Sequence, residues 1–411
     1  MFVKDGRRVG GWLPPTQAAL ESWLSRRVAL AGERDKEFHP VIEEFRELID
    51  TDPIVRLYLT EMIAQVPTTK PYSERHLKSV DQMLELINDV ITEGPEFNET
   101  ELSGAPLNAI LDWTMGTPAG FAAYRNDRVN AIFKKILAAW KEFLDSPKSL
   151  YVLNESDTGW KSKAAIEGMG GMDQYIYDPK DEYWGYKSWN DFFTRAFKPG
   201  QRPIASPDDD KVIVSGCEST PYAIKNEVKQ YDEFWIKGQP YSLQDMLAND
   251  KSVPEFVGGT VYQAFLSSLN YHRWHSPVAG TIKKAFVQPG MYYSETEAEG
   301  MDPAGPNDSQ GYIAQVATRA LFFIEADDPA IGLMCMMPVG MAEISSCEID
   351  PKIKPGYHVK KGEEIGCFKY GGSTHCLAFR PGVIKEFAPA AKPQPGVQLM
   401  HMGSYLATAV G

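Results

Sequence analysis

Apolar residues recur at three- and four-residue spacing through the first third of the chain, in Ala18–Leu30, Val41–Ile49, Ile54–Ile63, Leu77–Ile91 and Ala119–Leu144. That period predicts amphipathic helices, each burying one face. The longest stretch lays Phe121, Tyr124, Val129, Ile132, Phe133, Ile136, Leu137, Trp140 and Phe143 along one stripe. Thr51-Asp52-Pro53 separates two of the helices. Asp52 is placed to cap the second, and Pro53 falls at the first helical position, where a missing N–H costs nothing.

The pattern changes after about Tyr183. Short β-branched and apolar runs punctuated by Gly and Pro follow: Val212–Val214, Gly259–Phe265, Gly280–Val287, Ala320–Ile324, Ile331–Met336, Glu364–Phe368 and His375–Phe379. These read as strands, with one helix signal at Ser242–Leu247 and a long surface loop at Glu297–Gln310, rich in Gly, Pro, Asp and Asn. The expected fold class is α+β: a helical N-terminal domain over 1–183, then a mainly antiparallel β domain over 184–411.

A length of 411 residues suits two to three domains, and 43% apolar with 24% charged residues is ordinary globular usage. The net charge of −13 argues against nucleic acid as a partner, which would draw a basic stripe. Five cysteines without a C-x-x-C pair support neither a zinc ribbon nor a disulfide framework. Met1–Pro15 is polar and lacks the apolar core of a signal peptide. The longest charge-free apolar run, Ile331–Ala342, is too short to span a bilayer. A soluble, cytoplasmic protein without an integral membrane anchor is expected.

Three strings in the β region could carry chemistry. Tyr370-Gly371-Gly372-Ser373-Thr374 lies between two predicted strands. By itself it is ordinary hairpin-turn composition, or else a Gly-Ser peptide whose glycines permit strained geometry. Tyr271-His272-Arg273-Trp274-His275-Ser276-Pro277 places two of the chain's seven histidines three residues apart. No third ligand stands nearby, so proton transfer is favoured over metal binding. Glu218, in Ser215-Gly216-Cys217-Glu218-Ser219, follows the first strand; it is either an exposed carboxylate or one that orients a histidine.

Together and in this order, these strings resemble the pyruvoyl-dependent phosphatidylserine decarboxylase family from about Ser188 to the C-terminus. Further matching pieces are Trp189-Asn190-Asp191-Phe192-Phe193-Thr194-Arg195, Arg202-Pro203-Ile204, Lys237-Gly238, Val339-Gly340 and Lys361-Gly362-Glu363-Glu364-Ile365-Gly366. The N-terminal part, with Gly11-Trp12-Leu13 and Pro40–Pro53, is similar to the soluble fungal branch that includes the L-tryptophan decarboxylase of psilocybin biosynthesis. Most phosphatidylserine decarboxylases carry Asp-Gly where this chain has Glu218-Ser219, a departure shared with that branch.

The resemblance implies that the chain is a zymogen. Ser373 attacks the Gly372 carbonyl, with His275 as base and Glu218 holding it. Autocatalytic cleavage between Gly372 and Ser373 would leave fragments of 372 and 39 residues, still associated, the smaller capped by a pyruvoyl group in place of pyridoxal phosphate. His272 is then the acid that returns a proton to the substrate carbon. The implied substrate is a free aromatic amino acid, L-tryptophan the best single choice, with phosphatidylserine the alternative. A biotinyl-type carrier would need a lysine at the tip, where this chain has Gly372-Ser373.

Overall fold

The computed structural model describes residues 17–33, 37–68, 75–98, 105–232, 241–296, 309–343, 346–394 and 399–411. Met1–Pro15, Lys237-Gly238 and most of the Glu297–Gln310 loop lie outside them.

Helices α1 (Gln17–Glu33), α2 (Pro40–Thr51), α3 (Pro53–Gln65), α4 (Val80–Ile91), α5 (Pro106–Met115), α6 (Pro118–Ala123) and α7 (Asp127–Leu144) form the N-terminal part. Asp52 caps α3 as its sequence predicts, accepting the N–H groups of Ile54 and Val55 at 2.9 and 3.1 Å. The Ala119–Leu144 stripe is two helices: α6 ends at Ala123, and Asn126 caps α7 through the N–H groups of Arg128 and Val129. Periodicity missed α5 because all ten of its residues are buried. A helix without a polar face has no amphipathic period to detect.

Two short helices, α8 (Lys163–Gly168) and α9 (Trp189–Phe193), lead into the β part, which also carries α10 (Leu243–Met246), α11 (Val253–Phe256) and α12 (Gln310–Val316). Its strands are β1 (Val212–Val214), β2 (Thr220–Lys225), β3 (Thr260–Leu266), β4 (Arg273–His275), β5 (Gly280–Gln288), β6 (Arg319–Ala326), β7 (Leu333–Gly340), β8 (Ser346–Ile349), β9 (His358–Val359), β10 (Glu364–Lys369), β11 (Ser373–Phe379), β12 (Ile384–Phe387) and β13 (Tyr405–Ala409). A large sheet runs β2-β3-β11-β7-β6-β5-β9, and two small sheets run β4-β10-β8 and β1-β13-β12. Among the described residues every pairing between these strands is antiparallel, so the fold is α+β.

Side chains alternate across a strand, and β11 shows it. Leu377 and Phe379 enter the core shared with Trp274, Phe368 and Leu406 of the small sheets. Cys376 and Ala378 enter the opposite core, with Met246, Phe256 and Ile313 of the short helices. Burial on both faces makes β7 read as a continuous apolar run, and in β11 it encloses even the polar Ser373, Thr374 and His375. The helical core does not stop at α7 but takes in Trp189, Phe192 and Phe193 of α9 and the tyrosines Tyr271, Tyr293 and Tyr370.

One expectation is corrected by the topology. β10 pairs with β4 and β8, whereas β11 pairs with β3 and β7. Tyr370-Gly371-Gly372 is therefore no hairpin turn; it is a link passing from one sheet to another. Among the described residues no helix is long and apolar enough to cross a membrane.

Candidate active site

Ser373 opens β11, in register with Leu266 of β3 and Gly340 of β7. It is 0% exposed, and its Oγ has no hydrogen-bond partner. A buried hydroxyl left unpaired is uncommon and calls for a reason such as reactivity. The link before it is fixed by Tyr370, whose ring meets Trp140 at 5.1 Å, Phe193 at 5.2 Å and Trp189 at 5.8 Å, all edge-on. Beyond Tyr370 the backbone turns through Gly371 at φ +125°, a conformation that side-chain-bearing residues resist.

His275 closes β4 with both ring nitrogens engaged. Nδ1 lies 2.9 Å from the Gly362 carbonyl and Nε2 lies 2.8 Å from the Tyr271 hydroxyl. A carbonyl can only accept, so Nδ1 carries the hydrogen and Nε2 is the basic atom, receiving the Tyr271 O–H. Burial lowers its pKa, which keeps the ring neutral and able to take a proton.

Glu218 does not hold His275. It is buried, and its oxygens take Arg202 Nε at 2.5 Å, His401 Nδ1 at 2.9 Å and the Met402 N–H at 2.9 Å. Burial works against its charge, but the bonds from His401 and Arg202 outweigh it and hold the carboxyl below its usual range. The hydrogen bond that fixes the His275 ring is made to the Gly362 carbonyl, while Glu218 reaches the ring only through its charge, which raises the ring's basicity. Glu218 instead clamps the C-terminal segment to the Arg202 string.

Gly362 sits at φ +76°, and a Cβ there would meet Ile204 Cδ1 at 2.3 Å. Gly362→Ala should therefore displace the carbonyl that sets the His275 tautomer. The cut expected between Gly372 and Ser373 should then be slower, followed by gel over time; an unchanged rate would mean that this carbonyl does not set the base.

His272 is fully buried and stacks on Phe193, with ring centroids 4.0 Å apart. Neither nitrogen makes a full hydrogen bond, although the Asn270 carbonyl raises its basicity somewhat. Burial, with a smaller push from Arg195, brings its pKa down to about 3. Phe193 also touches Tyr370, so His272 and the glycine link lean on the same ring.

The structure adds His375, which the sequence reading passed over. Alternation places it on the same face of β11 as Ser373. It is fully buried, neither nitrogen makes a full hydrogen bond, and burial brings it down to about 4. The signal is present in the chain, since Ser373 and His375 stand two apart, but a strand predicted from His375 begins two residues too late to show the shared face. His401 carried no signal at all. Among the described residues no group of three or more His, Cys, Asp or Glu could hold a metal ion.

Buried neutral histidines make stability pH-dependent. His76 and His375 are lowered from 6.5 to about 4, His272 to about 3, and His275 is lowered as well. Below pH 6.5 the unfolded chain binds protons that the folded chain refuses, so stability is full above that pH and is lost as pH falls towards 4 and 3. Glu343, raised by burial to about 8, works the other way, one group against four. The melting temperature should fall between pH 7 and pH 5; a constant or rising value contradicts the neutral assignment.

Two phosphatidylserine decarboxylase family models match the chain, one over residues 39–169 and the other over 189–407. A relative from Amanita muscaria, decarboxylase iboD, is 40% identical over 303 residues, covering 69% of this chain and 86% of its own length. The L-tryptophan decarboxylase of Psilocybe cubensis is 32% identical over 397 residues, covering 90% of this chain and 88% of its own. A phosphatidylserine decarboxylase proenzyme of Bacillus mycoides is 32% identical over 225 residues, covering 55% and 78%. The second match alone takes in more than half the chain, with Ser373, His272, His275 and Glu218 inside it. By this evidence the chain is a carboxy-lyase and belongs to the phosphatidylserine decarboxylase family.

Proposed function

We propose that this chain cuts itself between Gly372 and Ser373 and then decarboxylates a free aromatic amino acid, L-tryptophan being the best single candidate. The observation that carries the maturation step is the Ser373 hydroxyl: buried, unpartnered and preceded by two glycines in a link between sheets. The reading divides the chain into a helical domain over 1–183 and a decarboxylase domain over 184–411.

Ser373 Oγ adds to the Gly372 carbonyl carbon, and the peptide C–N bond gives way to an ester. His275 Nε2, freed from Tyr271, is the base for the hydroxyl proton. Loss of the Ser373 Cα proton then expels Gly372 as a carboxylate and leaves dehydroalanine, which takes up water and releases ammonia. The residues present fit the pyruvoyl group that results, since Ser373 is enclosed and no partner of its hydroxyl is lost. That group supplies an electron sink for the departure of CO₂.

The chain's own residues do the rest. His272 is neutral, so it delivers a proton only after the substrate's charge has raised its basicity. Phe193 and Tyr370 are buried rings that pack beside His272 and the glycine link. The cut chain stays whole because the 39-residue fragment supplies β11, registered against β3 and β7, and β13, registered against β1.

The aromatic substrate draws support from the extent of similarity: the Psilocybe cubensis relative aligns over 90% of this chain, the bacterial phosphatidylserine decarboxylase proenzyme over 55%. Purified enzyme given carboxyl-labelled L-tryptophan should release labelled CO₂. Release from phosphatidylserine vesicles and not from tryptophan would replace this reading with the phospholipid one.

A further inference from the structure

Where the helical part meets the Ser373 strand, a group of buried polar side chains lacks partners. Glu343 stands three residues beyond Gly340, which pairs with Ser373. It is 1% exposed; Oε1 accepts the Asn108 backbone N–H at 2.5 Å near the start of α5, and Oε2 has no partner. The Asn108 carboxamide is unpaired through both its atoms, and the Tyr293 hydroxyl is unpaired too. Both residues are 1% exposed. These are four orphaned polar atoms on three side chains.

They share one neighbourhood. Glu343, once ionised, raises the phenols of both Tyr293 and Tyr370, so it lies within electrostatic reach of both, and Tyr370 is three residues before Ser373. Aromatic walls flank the group: Tyr293 lies 4.9 Å from the Phe133 ring and 6.2 Å from that of Tyr124. Burial also pushes Glu343 up to about 8, so at neutral pH it is a carboxylic acid able to donate as well as accept. Folds seldom leave buried polar atoms uncompensated unless a water or ligand completes them.

We propose that Glu343, Asn108 and Tyr293 form the polar end of the substrate site and hydrogen-bond an uncharged N–H or O–H carried on an aromatic side chain. The inference rests on the aromatic amino-acid reading above and deepens it. An indole N–H is such a group; the ring of phenylalanine has none. A site built to pair with a buried donor discriminates against an analogue that lacks it, because its own polar atoms are then left unmatched.

The test compares wild type, Tyr293→Phe and Glu343→Gln by the ratio of kcat/KM for L-tryptophan to that for L-phenylalanine. Extent of self-cleavage and melting temperature are measured alongside. Each variant should lower the ratio about tenfold, the loss of one hydrogen bond to substrate. Tyr293→Phe should leave the melting temperature unchanged or raised, since its hydroxyl has no partner to lose. A purely structural role would lower the melting temperature and depress both substrates alike, which overturns the proposal. So would a wild-type ratio retained in both variants, or a wild type that prefers phenylalanine. Should Glu343→Gln fail to fold, Tyr293→Phe decides. CO₂ release by wild type from phosphatidylserine alone defeats the functional reading itself, and shows before any variant is made.

Discussion

Ser373→Ala should remain one chain of 45.9 kDa and release no CO₂ from any amino acid. The substitution deletes the only atom of residue 373 that can attack the Gly372 carbonyl, and with it the precursor of the prosthetic group. It should do so without cost to the fold. The Oγ has no partner to orphan, and a buried unpaired hydroxyl is a burden whose removal is neutral or stabilising. Alanine suits the first position of a strand held on both sides by β3 and β7. Loss of cleavage with a retained melting transition therefore separates chemistry from folding. A variant that is still cut after Gly372 would mean that some other group opens the chain.

The second large effect is a division of labour between the two histidines of one string. His275→Ala removes the basic Nε2 and should leave the chain uncut. His272→Ala should be cut normally and then turn over about 10²–10⁴-fold more slowly, the usual contribution of a positioned acid. The structure motivates the split. His275 is held in one tautomer by the Gly362 carbonyl. His272, three residues earlier, has no such tether and rests on Phe193 against the Tyr370 link. Gel analysis gives the first readout and labelled CO₂ the second. Equal cleavage by both variants would return the base role to a different residue, with His375 next in position.

Much of this was legible in the chain, for definite physical reasons. Strands β3 and β5 announce themselves because a run with β-branched residues bounded by glycine or proline has few other uses, and the apolar end of β11, Cys376–Phe379, does so by its composition. Asp52 was legible because a cap acts within three residues of itself. What escaped was non-local. Gly371-Gly372 between two strands looks like a hairpin whether or not the strands pair, and pairing is decided by β3, β4, β7 and β8, far away in sequence. The string at His272 and His275 holds a three-residue strand, β4, too short to show alternation. Glu218 takes its hydrogen bonds from Arg202, sixteen residues before it, and from His401 at the far end of the chain, pairings that no local pattern announces. Buried α5 hid its period, and with it Asn108.

The central claim is that a serine inside this chain becomes its prosthetic group. The most direct measurement is the intact mass of the purified wild-type protein under denaturing conditions. The account predicts two fragments, of 372 and 39 residues, the smaller lighter than its sequence by one ammonia. A single uncut chain of 45.9 kDa after prolonged incubation would contradict it, as would a small fragment that still begins with an intact serine.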